Sequence, residues 1–235
     1  MCHVFQPIAY YFVSPEEGAM TVEGFRVVEP PFEEYGGDEG GDKPTVVGVV
    51  LAAGTSSRFG EPNKLLAEWK DVPLVSHAVD TLLRSAVDEV VVVVGDDAER
   101  VRTAISEFEV TVVHNDEYTA GQATSVRRGI TAARHTGGDA VAFALGDMPT
   151  VNAGSLDVLV DAYRAGVGDA LAAAYDGGRG NPVLFGRRHF EALADVTGDT
   201  GGREILLSDD RAALIETDDR GVLVDIDSPD DIATL

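Results

Sequence analysis

The fold of this chain is decided by the stretch VVLAAGTSSRFGEPNK, which covers residues 49–64. It continues an apolar, β-branched run from Val46, as in strands that are buried on both faces of a sheet. It then breaks at Gly54 into a loop of small residues that carries two cations, Arg58 and Lys64. Backbone donors and two positive charges at the end of a buried strand form a cradle for an anion, and a triphosphate suits it. A plain strand-to-helix turn with solvated cations is the alternative, because the glycine spacing fits neither a Walker loop nor GxGxxG.

Strand and helix patterns alternate along the rest of the chain. Apolar runs predict strands at 46–51, 89–94, 110–113, 140–145, 170–175 and 182–185, and helical spacing predicts helices at 73–86, 96–108, 121–135, 153–165, 187–195 and 201–208. Two strand-like segments, 213–217 and 222–226, precede a last helix with Ser228 as its N-cap. The alternation predicts an α/β fold with a mainly parallel central sheet and helices on both faces. Ligands of such sheets bind beyond the carboxyl ends of the strands.

The chain is strongly acidic. Its 235 residues include 41 acidic and 18 basic ones, for a net charge of −23. Such a field repels nucleic acid and anionic membranes, so we expect neither as a partner. A halophilic protein is one explanation, because high salt screens the self-repulsion, and an unusually acidic mesophilic protein is the other. The single cysteine, Cys2, excludes an internal disulfide and suits the reducing cytoplasm, where we expect the protein to act.

Residues 1–44 differ from the remainder, so we divide the chain into an N-terminal extension, 1–44, and one domain, 45–235. The extension contains PPFEEYGGDEGGDKP, and this Gly, Pro and acid content favours a flexible segment. Within it, Tyr10 to Val13 has the composition of a strand without an evident partner. Pro7 interrupts the first apolar residues and no positively charged region precedes them, so we do not expect a signal peptide.

Carboxylates follow a buried strand and precede the last helix. Asp147, in LGDMP, comes directly after the strand predicted at 140–145 and is suited to hold Mg²⁺ together with substrate phosphates. Its alternative role is to cap the turn or the next helix. Asp225 and Asp227 are two residues apart, so on a strand they share one face. Asp227 then either reaches the same metal or contributes to capping.

Polar residues in three further loops are candidates for substrate contacts. In AGQATSVRRGI, Gly121 and Ser125 present backbone and hydroxyl groups to a base or ribose, and Asn115 lies near the same edge. Helix-starting small residues are also ordinary packing. The loops DGGRGNP and GDTGGRE hold the candidate acceptor contacts Arg179, Asn181 and Arg203. The two arginines could bind an anionic acceptor, because a guanidinium group matches phosphate geometry. The plainer interpretation is that both segments are flexible surface loops.

Taken in order, LAAGTSSRFGEPNKLL, GQATSVRRGI, LGDMPTV, GNPVLF, GDTGGR and DIDSPDD resemble the MobA-like NTP transferases, most closely the molybdenum cofactor cytidylyltransferases. The resemblance covers about residues 46–235. It implies a Rossmann-like nucleotide-diphospho-sugar transferase fold for the domain 45–235. It also implies transfer of NMP from an NTP to a phosphate-bearing acceptor, molybdopterin or the molybdenum cofactor, with Mg²⁺ as cofactor and pyrophosphate as product.

The resemblance also implies roles for single residues. Leu51, Ala52 and Ala53, with Gly54, match the backbone that contacts base and ribose. Arg58 and Lys64 match the cations that hold the triphosphate and act in catalysis. Gly121 and Ser125 match the second nucleotide-contacting loop. Asp147 matches the metal ligand, and Asp227 the position of a second one. LAAG, rather than LAGG, is typical of members that use CTP, and a transient contact with a molybdoenzyme is the expected protein partner.

Other functions are compatible with the same residues. A guanylyltransferase of the same pathway and a sugar-phosphate or polyol-phosphate nucleotidyltransferase differ only in base or acceptor. A glycosyltransferase would use Asp225 and Asp227 as a DxD motif, although that motif lies near the C-terminus. A non-catalytic, nucleotide-binding cofactor chaperone would retain the site without turnover.

Overall fold

The structure of the protein is a computed structural model that describes residues 11–13, 20–22, 24–36, 42–56, 59, 63–199 and 201–235. Its strands are β1 (Tyr11–Val13), β2 (Met20–Val22), β3 (Phe25–Val28), β4 (Val46–Ala52), β5 (Glu68–Trp69), β6 (Val72–Pro73), β7 (Glu89–Val94), β8 (Thr111–His114), β9 (Ala140–Leu145), β10 (Ala170–Tyr175), β11 (Gly178–Gly186) and β12 (Ala213–Glu216). Its helices are α1 (Leu74–Leu83), α2 (Ala98–Ala104), α3 (Gln122–His135), α4 (Ala153–Arg164), α5 (Phe190–Ala194), α6 (Arg203–Ser208) and α7 (Pro229–Thr234).

Ten of the strands within the described residues form one sheet in the order β1-β2-β3-β12-β10-β11-β9-β4-β7-β8. β4 lies at its centre and runs parallel to both neighbours, with Val49 opposite Val91 of β7 and Phe143 of β9. β11 is antiparallel to β9 and to β10, whereas β12 is parallel to β10 and to β3. The fold is therefore α/β with a mixed, mainly parallel sheet, as the sequence predicts.

Helices cover both faces of the sheet because successive residues of β4 point in opposite directions. Val50 belongs to the core that α1, α2 and α4 complete, and Val49 to the core that α3, α5 and α6 complete. Gly48 lets α1 approach β4 closely, since a Cβ there would lie 2.8 Å from the Cδ2 atom of Leu82. The packing brings the carboxyl ends of β4, β7, β8 and β9 to one edge of the sheet.

Part of the segment 1–44 belongs to the sheet. β3 runs parallel to β12, with Arg26 opposite Ala213, and Phe25, Val28 and Phe32 are buried. The flexibility predicted for 1–44 does not hold for β3, because its apolar side chains fill the ends of the two cores. β1 pairs antiparallel with β2. For residues 1–10, 14–19, 23 and 37–41 the prediction lies outside the described residues, and the boundary at 45 stays a prediction.

The C-terminal segment differs from its predicted strand at 222–226. It forms a 3-10 turn, Arg220–Leu223, in which the Gly221 amide donates to Oδ1 of Asp219 at 2.8 Å. A Cβ at Gly221 would lie 2.3 Å from the carbonyl oxygen of Thr150, so the chain passes close to the loop after β9. This packing overrides the apolar alternation and carries the segment toward the carboxyl edge of the sheet. None of the described helices is long and apolar enough to cross a membrane.

Candidate functional site

A cleft of about 680 Å³ opens at the carboxyl edge of the sheet. The ends of β4 and β9 form its floor, the 3-10 turn Lys64–Leu66 and residues 118–125 form its walls, and Asp199 and Asp227 lie at its rim. Lys64 is the one cation among its described lining residues, against the carboxylates of Asp147, Asp199 and Asp227. The cleft therefore concentrates charged groups where an α/β sheet binds ligands.

Lys64 joins the two carboxylates that the sequence singled out. Its Nζ atom lies 2.5 Å from Oδ2 of Asp147 and 3.4 Å from Oδ1 of Asp227, and donates to the carbonyl oxygen of Ile226 at 3.1 Å. Burial alone would lower the pKa of Lys64, but attraction and hydrogen bonding from Asp147, and then from Asp227, raise it above the usual lysine value. The ammonium group is therefore charged at neutral pH.

Asn63 aims Lys64 into the cleft. Its side-chain Oδ1 accepts hydrogen bonds from the amide of Leu65 and from Oγ of Ser56, each at 3.0 Å. The first bond caps the 3-10 turn that begins at Lys64, and the second ties this turn to the loop after β4. Asn63 is 6% exposed, so a buried amide fixes the base of the lysine side chain. The sequence reasoning missed it, because its signal was only a polar residue before the expected lysine.

The carboxylates of Asp147 and Asp227 are suited to share one metal ion. Both reach the same ammonium nitrogen in this structure, so a single cation can contact both. The Ile226 amide donates to the carbonyl oxygen of Asp147 at 3.0 Å, which holds the C-terminal segment against the loop after β9. No group of three or more His, Cys, Asp or Glu side chains among the described residues forms a closed metal site. Two carboxylates that leave room for phosphate oxygens are the donor set Mg²⁺ prefers.

The end of β4 supplies backbone to the cleft. Leu51, Ala53 and Gly54 line it, whereas the side chain of Ala52 is buried in the core below. The Asp96 amide donates to the carbonyl oxygen of Ala53 at 3.3 Å, which fixes the loop entrance. Arg58, the second cation of the predicted cradle, lies outside the described residues.

The second predicted loop forms the opposite wall of the cleft. Gly121 has φ +102°, and a Cβ there would lie 2.6 Å from Oδ1 of Asp199. That carboxylate accepts a hydrogen bond from the Gln122 amide at 3.2 Å, and the Ala123 amide donates to Gly198 at 3.0 Å. Gly198 and Asp199 thus lie against the start of α3. The sequence reasoning considered only the arginine of that loop and missed Asp199.

Ser125 and Asn115, both predicted to contact the nucleotide, occupy different positions. Ser125 lines the cleft, although only 6% of the residue is exposed. Asn115 is 0% exposed and is not a lining residue, because α3 packs over the end of β8. The prediction that Asn115 contacts a ligand in the cleft is therefore corrected. Asn115 lies behind Ser125, and its Nδ2 atom donates a hydrogen bond to Oγ of Ser125 at 3.0 Å.

The three predicted acceptor contacts come together in a second cavity of about 160 Å³. Arg179, Asn181 and Arg203 line it, and its remaining wall is largely apolar, with the rings of Phe143 and Phe185. It shares Leu51, Gln122 and Leu145 with the larger cleft, so the two spaces adjoin. Strand β11 brings this about, because it carries Arg179 opposite Ala174 of β10 and Val183 opposite Phe143 of β9, with Asn181 between them.

Relatives are similar in sequence over most of the chain. Nicotine blue oxidoreductase of Paenarthrobacter nicotinovorans is 32% identical over 171 residues, which cover 70% of this chain and 83% of that protein. Purine catabolism protein PucB of Bacillus subtilis is 30% identical, with 80% and 94% covered. Molybdenum cofactor cytidylyltransferase of Escherichia coli is 24% identical, with 79% and 93% covered. The predicted special closeness to the cytidylyltransferases is therefore not supported.

Solved structures agree with the fold. Rv0371c of Mycobacterium tuberculosis superimposes with a TM-score of 0.71 at 29% identity, over 82% of this chain and 97% of that one, and it was also solved as a complex with manganese. A nucleotidyl transferase of Methanothermobacter gives a TM-score of 0.69 at 27% identity, with 83% and 96% covered. The MobA-like NTP transferase domain matches residues 48–213, more than half of the chain. The protein is therefore a nucleotidyltransferase that belongs to the MobA-like NTP transferase family.

Proposed function

We propose that this protein transfers CMP from CTP to a phosphate-bearing acceptor, the molybdenum cofactor, and releases pyrophosphate. The observation that carries the proposal is the contact of Lys64 with both Asp147 and Asp227, at 2.5 and 3.4 Å, in the cleft beside the LAAG turn. The cation suits the phosphates of a triphosphate donor, and the two carboxylates suit the metal that accompanies it.

A divalent ion completes the proposed site. Asp147 and Asp227 would hold Mg²⁺, which supplies charge neutralisation on the phosphates of the donor. The manganese complex of the M. tuberculosis protein supports a divalent ion in a similar fold. The Lys64 ammonium group binds the phosphate oxygens directly, and Arg58 is proposed to assist it.

Positioning does most of the proposed catalysis. The backbone of residues 51–54 and the hydroxyl of Ser125 hold the nucleoside, and Lys64 orients the triphosphate. An oxygen of the acceptor phosphate attacks the α-phosphorus in line. One P–O bond forms while the bond to pyrophosphate breaks, and Lys64 stabilises the charge on the leaving group. The attacking phosphate is already ionised, so no side chain has to remove a proton.

The second cavity fits an acceptor with an apolar ring system and an anionic group. Phe143 and Phe185 offer aromatic surface, and Arg179 and Arg203 line the same cavity with guanidinium groups, which suit an anion. Because the second cavity adjoins the cleft, one acceptor can extend from the cavity to the bound nucleotide. Ala53 carries the preference for CTP within the proposal, since LAAG is typical of CTP-using members. Action in the cytoplasm and transient contact with a molybdoenzyme belong to the same proposal.

The test is pyrophosphate release in high KCl with Mg²⁺. CTP, GTP, UTP and ATP are each combined with molybdopterin, the molybdenum cofactor and sugar phosphates, and Lys64→Ala serves as the inactive control. Parallel wells contain NADH or NADPH with an electron acceptor, because one relative is an oxidoreductase by name. Release with CTP and the molybdenum cofactor, lost in Lys64→Ala, is the expected result.

Other outcomes have definite meanings. Pyrophosphate release with GTP would refute CTP as the donor, and release with a sugar phosphate would refute the molybdenum cofactor as the acceptor. Either result would still support nucleotidyl transfer. Nucleotide binding without release from any acceptor would favour the chaperone alternative. Oxidation of NADH or NADPH without pyrophosphate release would refute transfer altogether.

A further inference from the structure

Asn115 is a buried amide whose orientation the backbone fixes. It follows the last residue of β8, and its own amide donates to the carbonyl oxygen of Val94 at 2.8 Å. Its side-chain Oδ1 accepts a hydrogen bond from the Glu117 amide at 3.1 Å. A backbone N–H can only donate, so the oxygen of the side chain must face Glu117 and the NH₂ group must face the other way.

The NH₂ group of Asn115 donates to two hydroxyls at the start of α3. Nδ2 lies 2.8 Å from Oγ1 of Thr124 and 3.0 Å from Oγ of Ser125, which uses both of its hydrogens. The Thr124 hydroxyl in turn donates to the carbonyl oxygen of Gly121 at 2.8 Å. The hydrogen of Thr124 is therefore committed within the protein.

The hydrogen of Ser125 is not committed in this way. Its oxygen accepts from Asn115, and among the described residues it donates no hydrogen bond in return. Ser125 lines the large cleft, so this hydrogen can turn toward a ligand. Because the Asn115 amide donates to one lone pair of the Ser125 oxygen, the hydrogen of this hydroxyl is left to donate toward the cleft.

We propose that Asn115 is a positioning residue that fixes the Ser125 hydroxyl as a hydrogen-bond donor. We then expect the bound nucleotide to place an acceptor, such as a keto oxygen of the base or an oxygen of the ribose, next to Ser125. This inference rests on the proposed function in one respect, namely that a nucleotide occupies the cleft. It assigns to Asn115 control over which nucleoside edge faces α3, without any contact to the nucleotide.

The substitution Asn115→Asp tests the direction of the bond. An aspartate of nearly the same shape presents only acceptors when it is ionised, so the Ser125 hydrogen turns back toward the protein. We expect the Kd of CTP, measured by calorimetry without acceptor, to rise about tenfold, and Ser125→Ala to raise it by a similar factor. The double variant should be no weaker than either single variant. The affinity for inorganic tripolyphosphate, which has no nucleoside, should stay unchanged in all of them.

A purely structural role for Asn115 predicts a different result. Asn115→Asp would then weaken CTP binding again in the Ser125→Ala background, or weaken tripolyphosphate equally, and either result would overturn the proposal. Thr124→Val is the matched control, because it removes the other hydroxyl that Asn115 contacts and should leave the Kd of CTP unchanged. If Asn115→Asp does not fold, Asn115→Ala replaces it with the same expectations. Wild-type protein that binds no NTP would refute both proposals, whereas binding without transfer would refute only the proposed function.

Discussion

Lys64 occupies the place between Asp147 and Asp227 that a metal ion would share, and its replacement therefore has two opposite consequences. Lys64→Met keeps the length of the side chain and removes its charge. We expect NMP transfer to fall by at least ~10², because a preorganised charge on the phosphates is lost. We also expect the nucleotide-free protein to bind Mn²⁺ more tightly, because the carboxylates lose the cation that now neutralises them.

The expected gain in metal affinity follows from the exposure of the charged groups and from a Coulomb energy. Lys64 and Asp147 side chains are 17% and 16% exposed, so their interaction is only partly screened. Two unit charges about 4 Å apart interact by about 4 kcal/mol at an effective dielectric constant of about 20. Lys64 can move away when a metal arrives, and the cleft is open to water, so we expect about 1.4–2.8 kcal/mol to be recovered. This corresponds to an increase in Mn²⁺ affinity of about 10- to 100-fold.

The assay is a titration of Mn²⁺ followed by electron paramagnetic resonance, without nucleotide. Lys70→Met is the matched control, because Lys70 lies over the ring of Trp69 and is not a lining residue of the cleft, and its Mn²⁺ affinity should equal that of the wild type. Asp147→Asn added to Lys64→Met should abolish the gain. Unchanged or weaker Mn²⁺ binding in Lys64→Met would refute the idea that lysine and metal share these carboxylates.

Three further predictions concern stability. Gly121→Ala should destabilise the fold by about 1–3 kcal/mol and weaken CTP binding, because φ is +102° and the new Cβ would collide with Asp199. Thermal melts measure this loss, and Gly154→Ala is the control that should not show it, because open space surrounds this glycine of α4. Hydrogen bonds from the Ser228 hydroxyl, the Ser228 amide and the Asp227 amide lower the pKa of Asp231 below its usual value. Their stabilisation is present above the pKa that Asp231 has in the unfolded chain and is lost as the pH falls through the lowered pKa of the folded protein. The Tm of Asp231→Asn should therefore lie below that of the wild type at pH 6 and converge with it in acid, and a constant difference would contradict this. Across a KCl series, the free energy of unfolding should rise with salt if the acidic surface is an adaptation to high salt, and a flat series would refute that idea.

Much of the fold could be predicted because local pattern and tertiary environment agree in its central strands. The strands at 89–94, 140–145 and 170–175 have the bounds that the sequence predicts, since each is an apolar run, after the exposed Glu89 in the first, that helices cover on both faces. The last helix begins after Ser228 because Asp231 accepts from both the amide and the hydroxyl of that residue. Such signals are carried by neighbours in sequence and need no knowledge of distant contacts.

The remainder depends on contacts that the sequence does not display. β3 is short and follows a polar segment, and it joins the main sheet through β12, far along the chain, while β2 pairs with its other edge. Asn115 resembles a surface residue of a loop until α3 covers it, after which its two hydroxyl partners make its burial tolerable. Asp199 gains its position from the amide of Gln122, in another element. In each case a pairing across the molecule, and not the local composition, decides the role of the residue.

The pairing of β3 with β12 has a consequence for biosynthesis. The two strands lie roughly 190 residues apart in the chain, so β3 is synthesised early and cannot pair with β12 until synthesis is nearly complete. During that interval, β10 and the strands beyond it can assemble, and their outer edge remains without a neighbour. The order of translation thus makes the β12 edge the last part of the sheet to be protected against pairing with another nascent chain, and β3 is the segment that protects it.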